Sequence, residues 1–194
     1  MGNGPAVLVV VDAQNGFISE FSRPVVPVIV DLVSQWQDSG GDTVFTRYVN
    51  YPGSPFERLI SWTSLRDAPE IDIVDELSVH AARATAVVDK NFYSLFNDEG
   101  AALVREHGWS DLYICGIDTE CCVLKTAVDT FERNLTPWVL ADACASHLGQ
   151  ETHAAGLLVT RTLIGPSQVI TTANLADHNG FIPWQGAGLP VERH

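Results

Sequence analysis

Three side chains that suit nucleophilic catalysis stand near the ends of short apolar segments of the chain. Asp12 directly follows the apolar run 6–11, and Lys90 and Cys122 also come shortly after apolar runs. A carboxylate can take the proton of a nearby thiol, and the resulting thiolate attacks a carbonyl carbon. A neighbouring cation favours the thiolate. Together the three residue types predict a nucleophilic cysteine site if the fold brings them together.

Each of the three residues also has an ordinary structural interpretation. Cys122 suits a buried thiol in a core helix, Asp12 can cap the turn that follows it, and Lys90 can extend into solvent. A charge that ends an apolar strand is costly to bury unless a cation, hydrogen-bond donors or water reach it. Either interpretation suits each residue alone, whereas all three at strand ends favour catalysis.

Short apolar runs that alternate with helical patterns predict stacked β–α units. The expected strands are 6–11, 43–46, 84–88, 112–115, 137–140 and 169–171, and the helical patterns are 28–36, 103–107, 119–131 and 154–163. The expected fold is a single α/β domain over residues 1–175, with three αβα layers around a six-stranded, mostly parallel sheet. Residues 48–75 form a long irregular excursion typical of a binding loop or lid. Residues 176–194 are expected to form a C-terminal arm, suited to an oligomer interface.

In sheets of this kind, ligands bind outside the carboxyl ends of the strands. Gly116 ends an expected strand, and Thr119 is placed to cap the helix that follows. Cys122 would then lie in the first helical turn, where the helix dipole lowers the pKa of a thiol. The unpaired backbone N–H groups of the same turn can hold a developing oxyanion.

Composition limits the partners that the protein can have. The 194 residues include Lys+Arg 11 and Asp+Glu 24, a formal net charge of −13, and 46% are hydrophobic. Such a charge disfavours nucleic acid and anionic membranes as partners and leaves a small-molecule substrate. Apolar runs fall short of a membrane span, and the N-terminal residues lack the pattern of a signal peptide, so a cytoplasmic location is expected.

The cysteine and histidine positions do not predict a metal or redox centre. The cysteines other than Cys122 are Cys115, Cys121 and Cys144, and the sequence contains no C-x-x-C pair. We expect Cys115 and Cys121 to be structural and Cys144 to lie in a loop. The six histidines lack metal-ligand spacing, so neither a metal nor a cofactor is expected.

Three segments of the chain resemble the signatures of the isochorismatase-like cysteine hydrolases. These are residues 10–17, residues 89–96 and the pattern Gly-x-x-Thr-x-x-Cys-Val at 116–123, in matching order and approximate spacing. The resemblance covers about residues 6–175. It implies that Cys122 is the nucleophile, that Asp12 is its base and that Lys90 pairs with both. It also implies a covalent thioester intermediate and a homo-oligomer, a dimer or tetramer.

The resemblance implies two further features of the site. A cis, non-proline peptide bond is expected between Ile117 and Asp118, with the backbone N–H groups of Asp118 and Cys122 as the oxyanion hole. Metal-binding nicotinamidases of the family carry an Asp-x-His pair and a further histidine after the second strand. This chain has no histidine before His80, so a metal-independent reaction is expected.

Five side chains near the expected strand ends are candidates for a substrate pocket. Phe17, Tyr48, Trp62 and Phe96 can form apolar walls, and Arg47 can hold a carboxylate. Arg47 suits a surface ion pair equally well, and most aromatic residues in such a chain belong to the core.

The sequence therefore favours a cysteine hydrolase that cleaves the C–N bond of a small carboxamide or N-carbamoyl (ureido) compound. An isochorismatase-type vinyl ether hydrolase is the second interpretation among enzymes. A non-catalytic binding or assembly protein of the same fold is the third.

Overall fold

The computed structural model describes residues 5–175. The expected C-terminal arm, 176–194, and the N-terminal residues 1–4 lie outside the described residues. The strands are β1 Ala6–Val11, β2 Asp42–Tyr48, β3 Ala86–Lys90, β4 Asp111–Ile117, β5 Thr136–Ala145 and β6 Val169–Ile170. The α-helices are α1 Val26–Asp38, α2 Pro55–Ile60, α3 Asp75–Ala82, α4 Asp98–His107, α5 Leu124–Glu132 and α6 Gln150–Ile164.

The strands form one six-stranded sheet in the order β3-β2-β1-β4-β5-β6, and every neighbouring pair is parallel. The strand order reverses between β1 and β4, the neighbouring central strands. Helices α1 and α3 pack against each other, and so do α5 and α6. Because crossovers between parallel strands are right-handed, the two pairs cover opposite faces of the sheet. The expected αβα fold is confirmed, with a fully parallel sheet.

The local sequence explains why these elements form. The side chains of β1 from Val7 to Val11 are fully buried, as a central strand covered on both faces requires. The buried side chains of α1 recur at helical spacing: Val26, Ile29, Leu32, Val33 and Trp36. Helix α4 ends at Gly108, whose φ of +66° is readily adopted by glycine.

The structure corrects the expected end of the fifth strand. β5 continues to Ala145, well beyond the predicted end at residue 140, with a register shift against β4 between Ile114 and Gly116. Cys144 is therefore a buried residue inside a strand, and its expected place in a loop is wrong. Asp142 and the alanines at 141, 143 and 145 do not form a typical strand pattern, and the sequence alone does not show that a parallel neighbour pairs with them.

The segment before α5 also differs from expectation. Residues Thr119–Val123 form a π-helical turn, and α5 begins only at Leu124. Thr119 does not cap it, because its hydroxyl hydrogen-bonds to Nδ1 of His153 at 2.7 Å. Phe131, the last residue of the predicted helical pattern 119–131, is 52% exposed.

The excursion at 48–75 is fastened to the sheet by a buried glutamine. The side-chain amide of Gln14 donates to the carbonyls of Tyr48 at 3.0 Å and Ile71 at 2.8 Å, and its oxygen accepts from the Tyr48 N–H at 2.7 Å. The segment includes α2 and lies over the carboxyl end of β2. It is thus an ordered wall above the sheet edge. Within residues 5–175, no helix has the length and apolar character needed to cross a membrane.

Gly116 is predicted to be essential for the contact between β1 and β4. A Cβ at this position would lie 2.1 Å from the Val11 carbonyl oxygen, and its φ is +118°. We expect Gly116→Ala to lower the free energy of unfolding by about 3 kcal/mol or more, since strain and overlap add. Urea unfolding measures the loss.

Gly40→Ala is the matched control for this prediction. Gly40 has a φ of +83° but open space around the added Cβ, so only the backbone strain of about 1–2 kcal/mol applies. Equal losses for the two variants would contradict the proposed close approach of β4 to β1.

Candidate active site

A buried ion pair joins the ends of β1 and β3. Lys90 Nζ donates to Asp12 Oδ2 at 2.6 Å, and both side chains are fully shielded from solvent. Nζ also donates to the carbonyl of Phe92 at 3.1 Å and lies 5.7 Å from the centre of the Tyr48 ring. Because β2 separates β3 from β1, the lysine side chain reaches across the end of β2. Its long stem makes the pair possible.

Asp12 is held in place by further contacts from β2. Thr46 donates its hydroxyl hydrogen to Asp12 Oδ1 at 2.6 Å and accepts the Asp12 N–H at 3.2 Å. The backbone of Asp12 has φ of +46°, an uncommon value for a residue with a side chain. Sequence reasoning missed Thr46. Its place at the carboxyl end of the predicted strand 43–46, where ligand-site residues are expected, was the available signal.

The third residue, Cys122, meets the same ion pair from the π-helical turn after β4. Its thiol lies near enough to Asp12 and Lys90 for the charges of both to shift its pKa, and the residue is only 5% exposed. The structure thus brings together the three residues that the sequence singled out. They come from β1, β3 and the segment after β4, and they meet at the carboxyl edge of the sheet.

Lys90 keeps its positive charge in this setting. Burial by itself lowers the Lys90 pKa, but the charges of Asp12 and Cys122 outweigh burial and raise it above its ordinary value. An ammonium group beside a thiol is the condition that favours a thiolate.

The Cys122 thiol, in contrast, is protonated at rest. Burial raises the Cys122 pKa well above its ordinary value, the charge of Lys90 lowers it, and Asp12 raises it again. The expected lowering by a helix dipole is wrong, because desolvation dominates and Cys122 precedes α5. Burial also raises the pKa of Cys121, to about 12, without a neighbouring cation. Attack by Cys122 therefore requires that its proton moves as the sulfur reacts.

Backbone groups beside the thiol are arranged by the strand end. The peptide bond between Ile117 and Asp118 is cis. The carbonyl of Asp118 accepts from the N–H groups of Cys121 at 3.2 Å and Val123 at 3.1 Å, which flank Cys122.

The Cys122 thiol opens into a cavity of about 270 Å³ with mainly aromatic walls. Its lining residues are Phe17, Tyr48, Phe56, Ile60, Trp62, Tyr93, Asp118, Glu120, Cys121, Cys122, His147 and Leu148. The aromatic side chains touch one another, with centroid distances of 4.9 Å for Tyr48–Phe56 and 5.9 Å for Phe17–Trp62. Three predicted pocket residues, Phe17, Tyr48 and Trp62, lie in this wall.

Two predicted pocket residues lie elsewhere. Arg47 binds Asp89 on the neighbouring strand, with Nε to Oδ1 at 2.7 Å and Nη2 to Oδ2 at 2.8 Å, on the exposed side of the sheet edge. Phe96 packs under the guanidinium of Arg133, 4.2 Å from its ring centre. Successive residues of a strand point to opposite faces of the sheet. Because Tyr48 faces the cavity, the neighbouring Arg47 points away from it.

Sequence reasoning missed a histidine–aspartate pair in the cavity wall. Asp118 accepts from the backbone N–H of His147 at 2.7 Å and pairs with His147 Nδ1 at 2.6 Å. The side chain of Asp118 is thus bound to His147. His147 comes two residues after the end of β5 at Ala145. If the predicted strand had extended to Ala145, the expectation that ligands bind at the carboxyl ends of strands would have singled out His147.

With the fold and site described, comparison with known proteins places the chain in a family. The isochorismatase domain family matches residues 6–174. The chain belongs to the isochorismatase family. It is therefore a hydrolase of that family, and the resemblance found in the sequence is confirmed. Within residues 5–175, no group of three or more His, Cys, Asp or Glu side chains is placed to hold a metal ion.

Individual relatives agree with this placement. Ureidoacrylate amidohydrolase RutB of Serratia proteamaculans (strain 568) is 29% identical, covering 81% of this chain and 77% of that protein. An isochorismatase-like hydrolase from Alkaliphilus metalliredigens superposes with a TM-score of 0.77 at 19% identity, covering 89% of this chain and 98% of its own. N-carbamoylsarcosine amidase from Thermoplasma acidophilum superposes with a TM-score of 0.69 at 22% identity, covering 86% of this chain and 95% of its own. These structures share the fold.

The Asp12–Lys90 pair is predicted to be strongly coupled in stability. Asp12→Asn and Lys90→Met should each lower the free energy of unfolding by about 3–5 kcal/mol, because each leaves a buried charge or donor without its partner. The double variant should lose clearly less than the sum. Urea unfolding of the four proteins gives the coupling energy.

The exposed pair Arg47–Asp89 supplies the matched control. Arg47→Met with Asp89→Asn should show a coupling of about 1 kcal/mol or less, since solvent screens this pair. Additive losses at Asp12 and Lys90 would show that the two charges do not interact as the structure indicates.

Proposed function

We propose that the protein is a metal-independent cysteine hydrolase that cleaves the C–N bond of a small carboxamide or N-carbamoyl compound. One observation carries the proposal: the fully buried Asp12–Lys90 pair lies near enough to Cys122 for both charges to shift the pKa of its thiol, which lines the cavity. A scaffold protein has no use for a desolvated charge pair beside a thiol, because burying that pair is costly.

In the first step, Asp12 takes the proton of the Cys122 thiol while the sulfur attacks the substrate carbonyl carbon. Lys90 stays charged and stabilises the negative charge that passes between sulfur and carboxylate. The carbonyl oxygen becomes an oxyanion, which accepts hydrogen bonds from the backbone N–H groups of Asp118 and Cys122. The protonated resting thiol fits this coupled transfer.

In the second step, the C–N bond breaks and Asp12 returns its proton to the leaving nitrogen. Ammonia or an amine departs, and the acyl group remains on Cys122 as a thioester. Water then attacks the thioester carbon, and Asp12 accepts one proton of that water. Release of the acid regenerates the Cys122 thiol, so the sum is one amide and one water giving one acid and one amine.

The relatives support C–N chemistry in this family. Ureidoacrylate amidohydrolase and N-carbamoylsarcosine amidase are named for reactions of ureido and carbamoyl compounds. The cavity of about 270 Å³ beside Cys122 suits a small molecule.

Ammonia release from a panel of carboxamides and ureido acids tests the proposal. We expect turnover by the wild-type protein and a loss of about 10³-fold or more in kcat/KM for Cys122→Ala, because no other group forms the acyl-enzyme. Cys144→Ala, which removes a buried thiol outside the cavity, should keep its activity.

Other outcomes distinguish the alternatives. Cleavage of a vinyl ether with no ammonia release would identify an ether hydrolase. Binding of these compounds without any turnover would identify a non-catalytic protein of this fold.

Lys90 is predicted to set the reactivity of the Cys122 thiol before substrate binds. Its charge lowers the Cys122 pKa, so Lys90→Met should slow iodoacetamide labelling of Cys122 by about tenfold or more at pH 8. Peptide mapping by mass spectrometry gives the rate at each cysteine. Lys125→Met, at an exposed lysine that pairs with Asp129, should leave the rate unchanged. Equal rates in the Lys90 and Lys125 variants would exclude this role.

A further inference from the structure

The free nitrogen of His147 has no role in the mechanism above. The Asp118 carboxylate is hydrogen-bonded to the backbone N–H and to Nδ1 of His147, and these two bonds fix the orientation of the imidazole. The other ring nitrogen, Nε2, takes no part in the contact with Asp118. The ring packs against Phe17 with centroids 5.6 Å apart, and the histidine lines the same cavity as Cys122. A rigid imidazole in an aromatic wall is suited to recognise one polar group of a ligand.

We propose that His147 is the specificity-determining residue of the site and donates Nε2–H to a carboxylate on the substrate, with Asp118 positioning its ring. This inference rests on the proposed function and narrows its substrate class to amides or ureido compounds that carry a carboxylate. The hydrolysed carbon lies at Cys122, and the carboxylate lies toward His147.

The charged side chains in and near the cavity leave the pairing with a carboxylate to His147. Among the described residues that line the cavity, His147 has the only basic side chain. Glu120 directs Oε1 to the Ser146 hydroxyl at 2.8 Å, and Asp118 is bound to the histidine. Lys90 is committed to Asp12 and Cys122, and Arg47 lies on the exposed side with Asp89.

The surroundings favour the protonated form of the imidazole. The hydrogen bond to Asp118 raises the His147 pKa above its ordinary value, burial lowers it, and the charges of Asp118 and Glu120 raise it further. The remaining ionisable groups of the cavity wall are Tyr48, Tyr93, Cys121 and Cys122. With Nδ1 bound to Asp118, protonation makes Nε2 a hydrogen-bond donor directed to an acceptor oxygen.

The charge balance specifies how this recognition works. The negative charge of Asp118 cancels most of the long-range attraction that a protonated His147 would exert on an anion. The chain as a whole is also negative, with a formal net charge of −13. A carboxylate therefore gains from the short, charge-assisted hydrogen bond and gains little from long-range attraction. The preference for a carboxylate should persist at high salt.

Paired alkylating reagents test this inference without a known substrate. Iodoacetate carries a carboxylate where iodoacetamide carries a carboxamide, and the two reagents are otherwise alike. N-iodoacetylglycine and N-iodoacetylglycinamide differ in the same way, but the differing group lies farther from the reacting sulfur. We expect the wild-type protein to favour the carboxylate of at least one pair at Cys122. His147→Gln should lower that rate ratio by about tenfold, which corresponds to about 1.4 kcal/mol. Its rate with the neutral reagent should stay within about twofold.

Two controls separate recognition from a general structural effect. His107→Gln changes an exposed histidine on α4 and should keep the wild-type ratio. In the wild-type protein itself, the ratio should fall as the pH rises from 6 to 9, because the imidazolium loses its proton. Ionisation of the Cys122 thiol affects both reagents alike and cancels in the ratio.

The outcomes distinguish the two proposals. An unchanged ratio in His147→Gln, or a wild-type ratio for both pairs that does not vary with pH, overturns the carboxylate site and leaves the cysteine hydrolase standing. Failure of every reagent to label Cys122 in the wild-type protein overturns the nucleophile and the carboxylate site together.

Discussion

The buried contact between Asp12 and Lys90 is the constraint on which the rest of the site depends. Two opposite charges without solvent contact are tolerated only when each is held at close range and hydrogen-bonded. The strand order supplies that closeness, since β2 alone separates β3 from β1. Thr46 on β2 satisfies the second oxygen of Asp12, so the intervening strand contributes a contact as well as spacing.

The same pair explains how one thiol becomes chemically distinct from its neighbours. Burial raises the pKa of all four cysteines, and only Cys122 is beside both an ammonium and a carboxylate. Its proton therefore has an acceptor within hydrogen-bond reach, and the sulfur has a cation that stabilises it as that proton leaves.

The cavity adds selectivity to this reactivity. Aromatic rings from the 48–75 segment and from Phe17 surround the thiol with apolar surface, which strengthens the electrostatic interactions of the few polar groups there. Asp118 joins the wall at the end of β4, and its partner His147 joins it after the end of β5, on the other side of β4 from Asp12. The ion pair and His147 thus lie on opposite sides of the strand reversal, where open parallel sheets ordinarily bind ligands.

The sequence by itself determined the β–α order, the parallel sheet and the three residues that meet at its edge. A short apolar run such as 6–11 is most stable as a strand that is buried on both faces of a sheet. A charged residue directly after such a run is costly to bury unless an opposite charge or a hydrogen-bond donor contacts it. Only the tertiary structure decided which neighbouring side chains face the cavity. Arg47 and Tyr48 are adjacent in one strand and point to opposite sides, and His147 joins the site through the extension of β5 that pairing with β4 stabilises. Side-chain direction and strand length depend on contacts between segments far apart in the chain, which local patterns do not encode.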